Sequence, residues 1–190
     1  MKRYLLALDF DLTITVNDRL NKTRADRLAK RIRKMKQSYP VEIFILSVAN
    51  FSHILYTVMI SGSSMLLKEL AEMPVITNET DHLIQIDPSW HEDKKGRKAM
   101  IQKITHGHDE NDYNKITAYK KTNYLLHKSK EENIPHSHIF FLDDNHYNIA
   151  FARYYGFQTW LVNNEKKKED LFQRLHIVEK LLKKENLKEK

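Results

Sequence analysis

The run Tyr4-Leu5-Leu6-Ala7-Leu8 is apolar at every position and stops abruptly at Asp9, with a second aspartate at Asp11 and a hydroxyl at Thr13. A strand that buries one face alternates apolar and polar residues. An unbroken run is the pattern of a strand covered on both faces, as in a parallel sheet flanked by helices. Such sheets bind ligands beyond the carboxyl ends of their strands, where the connecting loops form a crevice. The acids fall at that end. Two carboxylates crowded at one tip repel each other, so a divalent cation or a shared proton is needed to hold them.

The same sequence of strand and polar tip recurs along the chain. Val41 to Leu46 is a second apolar run, ending in Ser47, and Ile139 to Leu142 is another, leading straight into Asp143 and Asp144. Thr23 is the expected N-cap of a helix reaching about Gln37, with Ala25, Leu28, Ile32 and Met35 at helical spacing. Asn50 to about Met73 is helical in pattern, in two pieces broken near Ser61-Gly62-Ser63-Ser64, and Pro74 to Thr77 suggests a short strand. Ala118 to Asn133 predicts a helix with Leu125 and Leu126 inward. Ile149 to Tyr155 predicts another, closed by Gly156, before a fifth strand at Phe157 to Val162. Leu171, Leu175, Val178 and Leu182 share one stripe of a C-terminal helix expected over 166–188. Residues 78–117 are expected to form a small insertion. Within it Leu83, Ile84 and Ile86 suggest a strand, and Arg97 to Ile104 a short helix. Strands alternating with helices predict an α/β fold with a doubly wound, mainly parallel sheet and helices on both faces.

Composition bounds the rest. A chain of 190 residues is long enough for one domain with a proper core, so residues 1–190 are expected to form a single domain. No stretch approaches the roughly 20 consecutive apolar residues of a membrane helix, and the early acids at Asp9 and Asp11 exclude a signal-peptide pattern. The absence of cysteine excludes disulfides and thiolate zinc sites. A cytoplasmic location, or a nuclear one, is expected. The net charge of +7 suits an anionic partner, although much of the excess lies in Lys-rich helices whose plain reading is a solvated face.

Asp9-Phe10-Asp11-Leu12-Thr13 after the first strand, Ser47 after the second, a helical lysine, and Asp143-Asp144 after a later strand together resemble the haloacid dehalogenase superfamily of phosphohydrolases. The likeness spans roughly residues 4 to 162. It implies a Rossmann-like fold and a Mg²⁺-dependent phosphatase acting on phosphomonoesters. Asp9 would be the nucleophile that forms an aspartyl-phosphate, and Asp11 the acid that protonates the leaving oxygen and then activates water. Mg²⁺ would be held by Asp9, the backbone carbonyl of Asp11 and Asp143, with Asp144 acting through water and Asn148 supporting the acids. Thr13 and Ser47 would bind the phosphate or orient the acids. For the lysine, Lys121 stands four residues before Leu125, in the phase of a core-facing helix start; Lys120 is the neighbouring alternative, and Lys128 would suit a shorter connection. Leu12 occupies a position where such proteins most often carry glycine, a change expected to stiffen the loop while leaving every reacting group in place.

The two histidine pairs, His106 with His108 and His136 with His138, lack further ligands at suitable spacing and are expected to be ordinary loop residues. Only a turn and one helix separate Thr13 from the second strand, and the insertion is too small for a full α/β cap. A capless crevice of this kind suits a large phosphorylated partner, such as a phosphoprotein or a nucleic-acid end. Two other functions fit the sequence: a non-catalytic scaffold that holds nucleic acid or an acidic protein on its basic helices, and a small-metabolite phosphatase with the insertion as a partial lid.

Overall fold

The computed structural model describes residues 3–77, 113–164, 166 and 169–187. In chain order the elements are β1 (Tyr4–Leu8), α1 (Lys22–Ser38), β2 (Val41–Leu46), α2 (Phe51–Ile60), α3 (Ser64–Ala71) and β3 (Val75–Ile76). They continue with α4 (Tyr113–Glu131), a 3-10 turn (His136–His138), β4 (Ile139–Asp143), α5 (His146–Tyr154), β5 (Gln158–Leu161) and α6 (Asp170–Leu187). The strands form one sheet in the order β3-β2-β1-β4-β5, and every pairing is parallel. From β1 the chain steps outward to β2 and β3, then returns to the other side of β1 with β4. The order therefore reverses between β1 and β4, the two strands that end in aspartates.

Side-chain alternation divides the core into two layers. Leu6, Leu8, Ile43, Ile45, Phe140 and Leu142 face one way, against Leu28 and Ile32 of α1, Leu66 of α3 and Leu175 and Val178 of α6. Leu5, Ala7, Phe44 and Phe141 face the other, against Leu125 of α4 and Ile149 and Ala152 of α5. Each fully covered Leu, Ile or Phe side chain contributes about 1.5–3 kcal/mol. The doubly wound α/β sheet that the strand and helix alternation predicts is the one observed.

Several boundaries differ from the sequence pattern. Helix α1 begins at Lys22, because Asn21 rather than Thr23 is its cap, accepting from the Arg24 amide. Helix α4 starts at Tyr113, inside the stretch assigned to the insertion, since Asn114 and Lys115 interrupt the apolar spacing that marks a helix. Its start is tied to the loop after β4, where Asn145 Nδ2 donates to Asn114 Oδ1 at 2.8 Å. Asn145 also caps α5, accepting from the Tyr147 amide. Helix α6 begins at Asp170, later than 166, and buries Leu171, Leu175, Val178 and Leu182 as one stripe. Gly62 and Gly156, with φ of 73° and 86°, supply the left-handed residues that end α2 and α5. The expected strand at Leu83, Ile84 and Ile86 and the helix at Arg97 to Ile104 lie outside the described residues.

Candidate functional site

Strand alternation decides where the acids point. Leu5 and Ala7 face the layer of α4 and α5, and Asp9 continues their row; Ile139 and Phe141 face the same layer, and Asp143 continues theirs. The register sets Leu8 opposite Leu142, and the Asp9 amide donates to the Leu142 carbonyl at 2.9 Å. Asp9 and Asp143 are thereby neighbours across the point where the sheet order reverses. On α4, Lys121 stands one turn before buried Leu125, so it enters the same layer. Its Nζ donates to Asp9 Oδ1 at 2.5 Å and to Asp143 Oδ2 at 2.7 Å, with only 2% of the side chain exposed.

Around this pair the other groups close in. The Thr13 hydroxyl lies 3.3 Å from Asp9 Oδ2 and 3.5 Å from Asp144 Oδ1. Asp143 also accepts from the Asn145 amide at 2.8 Å and from Asn148 Nδ2 at 2.9 Å on each oxygen. Together with Lys121 these contacts fix the orientation of the Asp143 carboxylate.

The charges do not balance. Three carboxylates face one ammonium, an excess of two negative charges when all are ionised. Burial raises the Asp9 carboxyl well above the ordinary carboxylate range; Lys121 pulls it back, and the charge of Asp143 pushes it up again. Asp144 is pushed up to about 6, by burial first and by Asp143 second. For Lys121, burial acts to lower the pKa, but Asp143 and Asp9 outweigh it and hold the ammonium above its ordinary value. The lysine thus stays charged, and Asp9 and Asp144 are the acids pushed toward their protonated forms.

The loop after β1 is shaped by contacts from distant segments. The Ile14 and Thr15 amides both donate to the Phe10 carbonyl, at 2.9 and 3.1 Å, and the Leu12 amide donates to Thr15 Oγ1 at 2.8 Å. Asn164 Nδ2 reaches the carbonyls of Leu12 at 3.0 Å, Thr13 at 2.6 Å and Thr15 at 3.4 Å, while its Oδ1 accepts from the Leu171 amide. Arg24, buried on α1, donates from Nε to the Ile14 carbonyl at 2.8 Å. Burial lowers its pKa, and the charge of Glu169 opposes that. Asn164 and Arg24 were not among the candidate residues in the sequence. The only local sign of Asn164 is its place just beyond the β5 tip; Arg24 is hidden among the many basic residues of α1.

The remaining candidates lie as follows. Ser47 is buried at the β2 tip, its hydroxyl accepting from the Ala49 amide at 3.1 Å, and it bonds to none of the acids. The Asp11 side chain stands outside the three-carboxylate group, 36% exposed, with Oδ1 3.2 Å from His53 Nε2. His53, in the first turn of α2, is a further residue that spacing did not single out; its ring also meets Phe10 edge-on. The Asp11 carbonyl accepts from the Thr13 amide at 2.6 Å. Lys120 is half-buried, and Lys128 pairs with Glu42 and Glu132, away from the acids. His136 contacts the Tyr155 carbonyl and His138 stacks on Tyr4, both as ordinary structural residues. His106 and His108 lie outside the described residues.

Asp9, Asp143 and Asp144 each offer one oxygen, all within 4.8 Å of one another, and are the one such group of potential metal ligands among the described residues. All-oxygen donors and surplus negative charge suit a hard divalent cation such as Mg²⁺. Fold and site together define a Rossmann-like α/β chain with an acidic, lysine-bridged cluster at the switch point of its sheet. No family model matches the chain, and no curated protein matches it. Among the described residues no helix is long and apolar enough to cross a membrane.

Proposed function

We propose that the chain is a Mg²⁺-dependent phosphomonoesterase of the haloacid dehalogenase type, working through an aspartyl-phosphate, with a phosphorylated macromolecule as substrate. The observation that carries this reading is the Lys121 ammonium seated between Asp9 and Asp143, with Asp144 and Thr13 beside them. Phosphoryl transfer needs a nucleophile, positive charge on the equatorial oxygens and a proton donor for the leaving group, and little else. The cluster holds the first two and Asp11 stands at its rim.

In the first step an Asp9 carboxylate oxygen attacks phosphorus as the bond to the ester oxygen breaks, and Asp11 gives that oxygen its proton. In the second, water attacks the same phosphorus, Asp11 takes the proton, and the bond to Asp9 breaks, releasing phosphate. Lys121 neutralises charge on the phosphoryl oxygens as a point charge, while Thr13 and Ser47 offer hydroxyls to them. His53 keeps the Asp11 carboxyl at the rim, clear of the buried acids. Asp9, Asp143 and Asp144, with the Asp11 carbonyl, would hold Mg²⁺, which supplies the positive charge that three carboxylates otherwise deny an incoming phosphate.

The test is hydrolysis of p-nitrophenyl phosphate with and without Mg²⁺. Turnover should require the metal and fall by ~10³-fold or more in Asp9→Asn. Absence of turnover at every Mg²⁺ concentration, or activity that survives Asp9→Asn, refutes the proposal.

A further inference from the structure

On the rim of the sheet that carries the acids, where α1 and α6 begin, lies a groove of about 500 Å³ lined by Val16, Arg19, Arg24, Arg27, Glu169 and Phe172, among others. It opens between the start of α1 and the start of α6, and its floor is the Phe172 ring, with the Arg27 guanidinium 4.0 Å and that of Arg24 5.2 Å from the ring centre. Three guanidinium groups against the one carboxylate of Glu169, which pairs with Arg27, leave a positive groove. Arg24 links it to the chemistry: Nε and Nη2 reach the carbonyls of Ile14 and Thr13, and the Thr13 hydroxyl touches Asp9. The charge continues out of the groove. Arg27, Lys30 and Lys34 occupy one exposed face of α1, over about 10 Å of helix at ~1.5 Å per residue. Among the described residues, Arg19, Lys30 and Lys34 have no carboxylate partner.

We infer that this groove and the face of α1 below it bind the backbone of a single-stranded nucleic acid whose terminal phosphate enters the site of Asp9. The inference rests on the phosphatase reading and names its substrate. A single anionic group would be satisfied by the groove alone. A row of cations extending from the groove along a helix matches a ligand whose charges repeat, which a phosphodiester backbone has and an ordinary phosphopeptide lacks. Guanidinium groups are suited to this because they pair with phosphate through two parallel hydrogen bonds.

Two measurements test it, one of them independent of turnover. The double substitution Arg19→Ala with Arg27→Ala spares Arg24, which holds the site loop. On p-nitrophenyl phosphate its kcat/KM should stay within about twofold of the parent, and on 3′- or 5′-phosphorylated oligonucleotides it should fall by roughly tenfold or more, each mainly as a rise in KM. Separately, anisotropy of a labelled phosphorylated oligonucleotide on Asp9→Asn protein should give binding whose log-log salt slope drops by about 1.4 when both arginines are removed, at ~0.7 per single-strand contact. Equal oligonucleotide binding with and without the arginines, or phosphopeptides turned over in preference to oligonucleotides, overturns the inference. A parent protein that never turns over p-nitrophenyl phosphate, yet binds the oligonucleotide with a salt slope that drops when the arginines are removed, would instead count against the phosphatase reading and leave the groove assigned.

Discussion

Replacing Lys121 by methionine tests the central feature of the site without opening a cavity. Methionine keeps most of the volume and the unbranched stem, so the change removes a charge and little packing. In the parent the ammonium contacts Asp9 at 2.5 Å and Asp143 at 2.7 Å in a region almost closed to water. Removing one partner of a buried ion pair costs about 3–5 kcal/mol, because the remaining charge has no solvent to stabilise it. For a chain of this size each kcal/mol shifts the melting temperature by about 2–4 °C, so a drop of roughly 6–20 °C is expected at pH 7 without metal. The sign with pH follows from Asp9, whose carboxyl already lies above its ordinary value and would rise further without Lys121. A raised carboxyl contributes stability at low pH that is lost as pH climbs through its folded value, so the penalty of the substitution should be small near pH 4 and full near pH 7. Mg²⁺ should restore part of it. Calorimetric melts of both proteins at the two pH values, with and without Mg²⁺, are the assay. A substituted protein within about 1 kcal/mol of the parent at pH 7, or a penalty that does not change with pH, would refute the reasoning.

Asp144, held up to about 6, makes the metal-free protein less stable as pH rises from about 4 to 7; discounted for its partial exposure this amounts to about 1–2 kcal/mol, and Asp144→Asn should flatten that slope while weakening the Mg²⁺-induced rise in melting temperature. A slope unchanged by the substitution would count against it. Leu12 has φ of 55°, a conformation that costs an ordinary L-residue about 1–2 kcal/mol, so Leu12→Gly should stabilise the protein by roughly 1 kcal/mol in denaturant titration, and a loss of stability would show that the Leu12 side chain outweighs the backbone cost. Asn164→Ala removes the amide that reaches three carbonyls of the β1 loop and should cost about 1–3 kcal/mol. Because that loop carries Asp11 and Thr13, kcat on p-nitrophenyl phosphate should fall more than KM changes; an unaltered kcat would make Asn164 purely structural.

Much of this molecule was determined by local sequence. The unbroken apolar runs at Tyr4–Leu8 and Ile139–Leu142 specify strands covered on both faces, and the acids that end them fall at the carboxyl edge of a parallel sheet whatever the details of packing. The stripe of Leu171, Leu175, Val178 and Leu182 likewise places α6 on the core by periodicity alone. What the tertiary structure decided are the choices that depend on rotation and on distant neighbours. Lys120, Lys121 and Lys128 are alike in sequence, but the rotation of α4 against the sheet buries only Lys121 between the two acids. Asn164 and Arg24 shape the β1 loop from separate segments, His53 reaches Asp11 from α2, and the basic groove exists only because α1 and α6 begin on the same rim. A backbone pattern has a short range along the chain, whereas a charge or a hydrogen bond takes its partner from whatever the fold brings within about 3 Å, and sequence spacing carries no record of that.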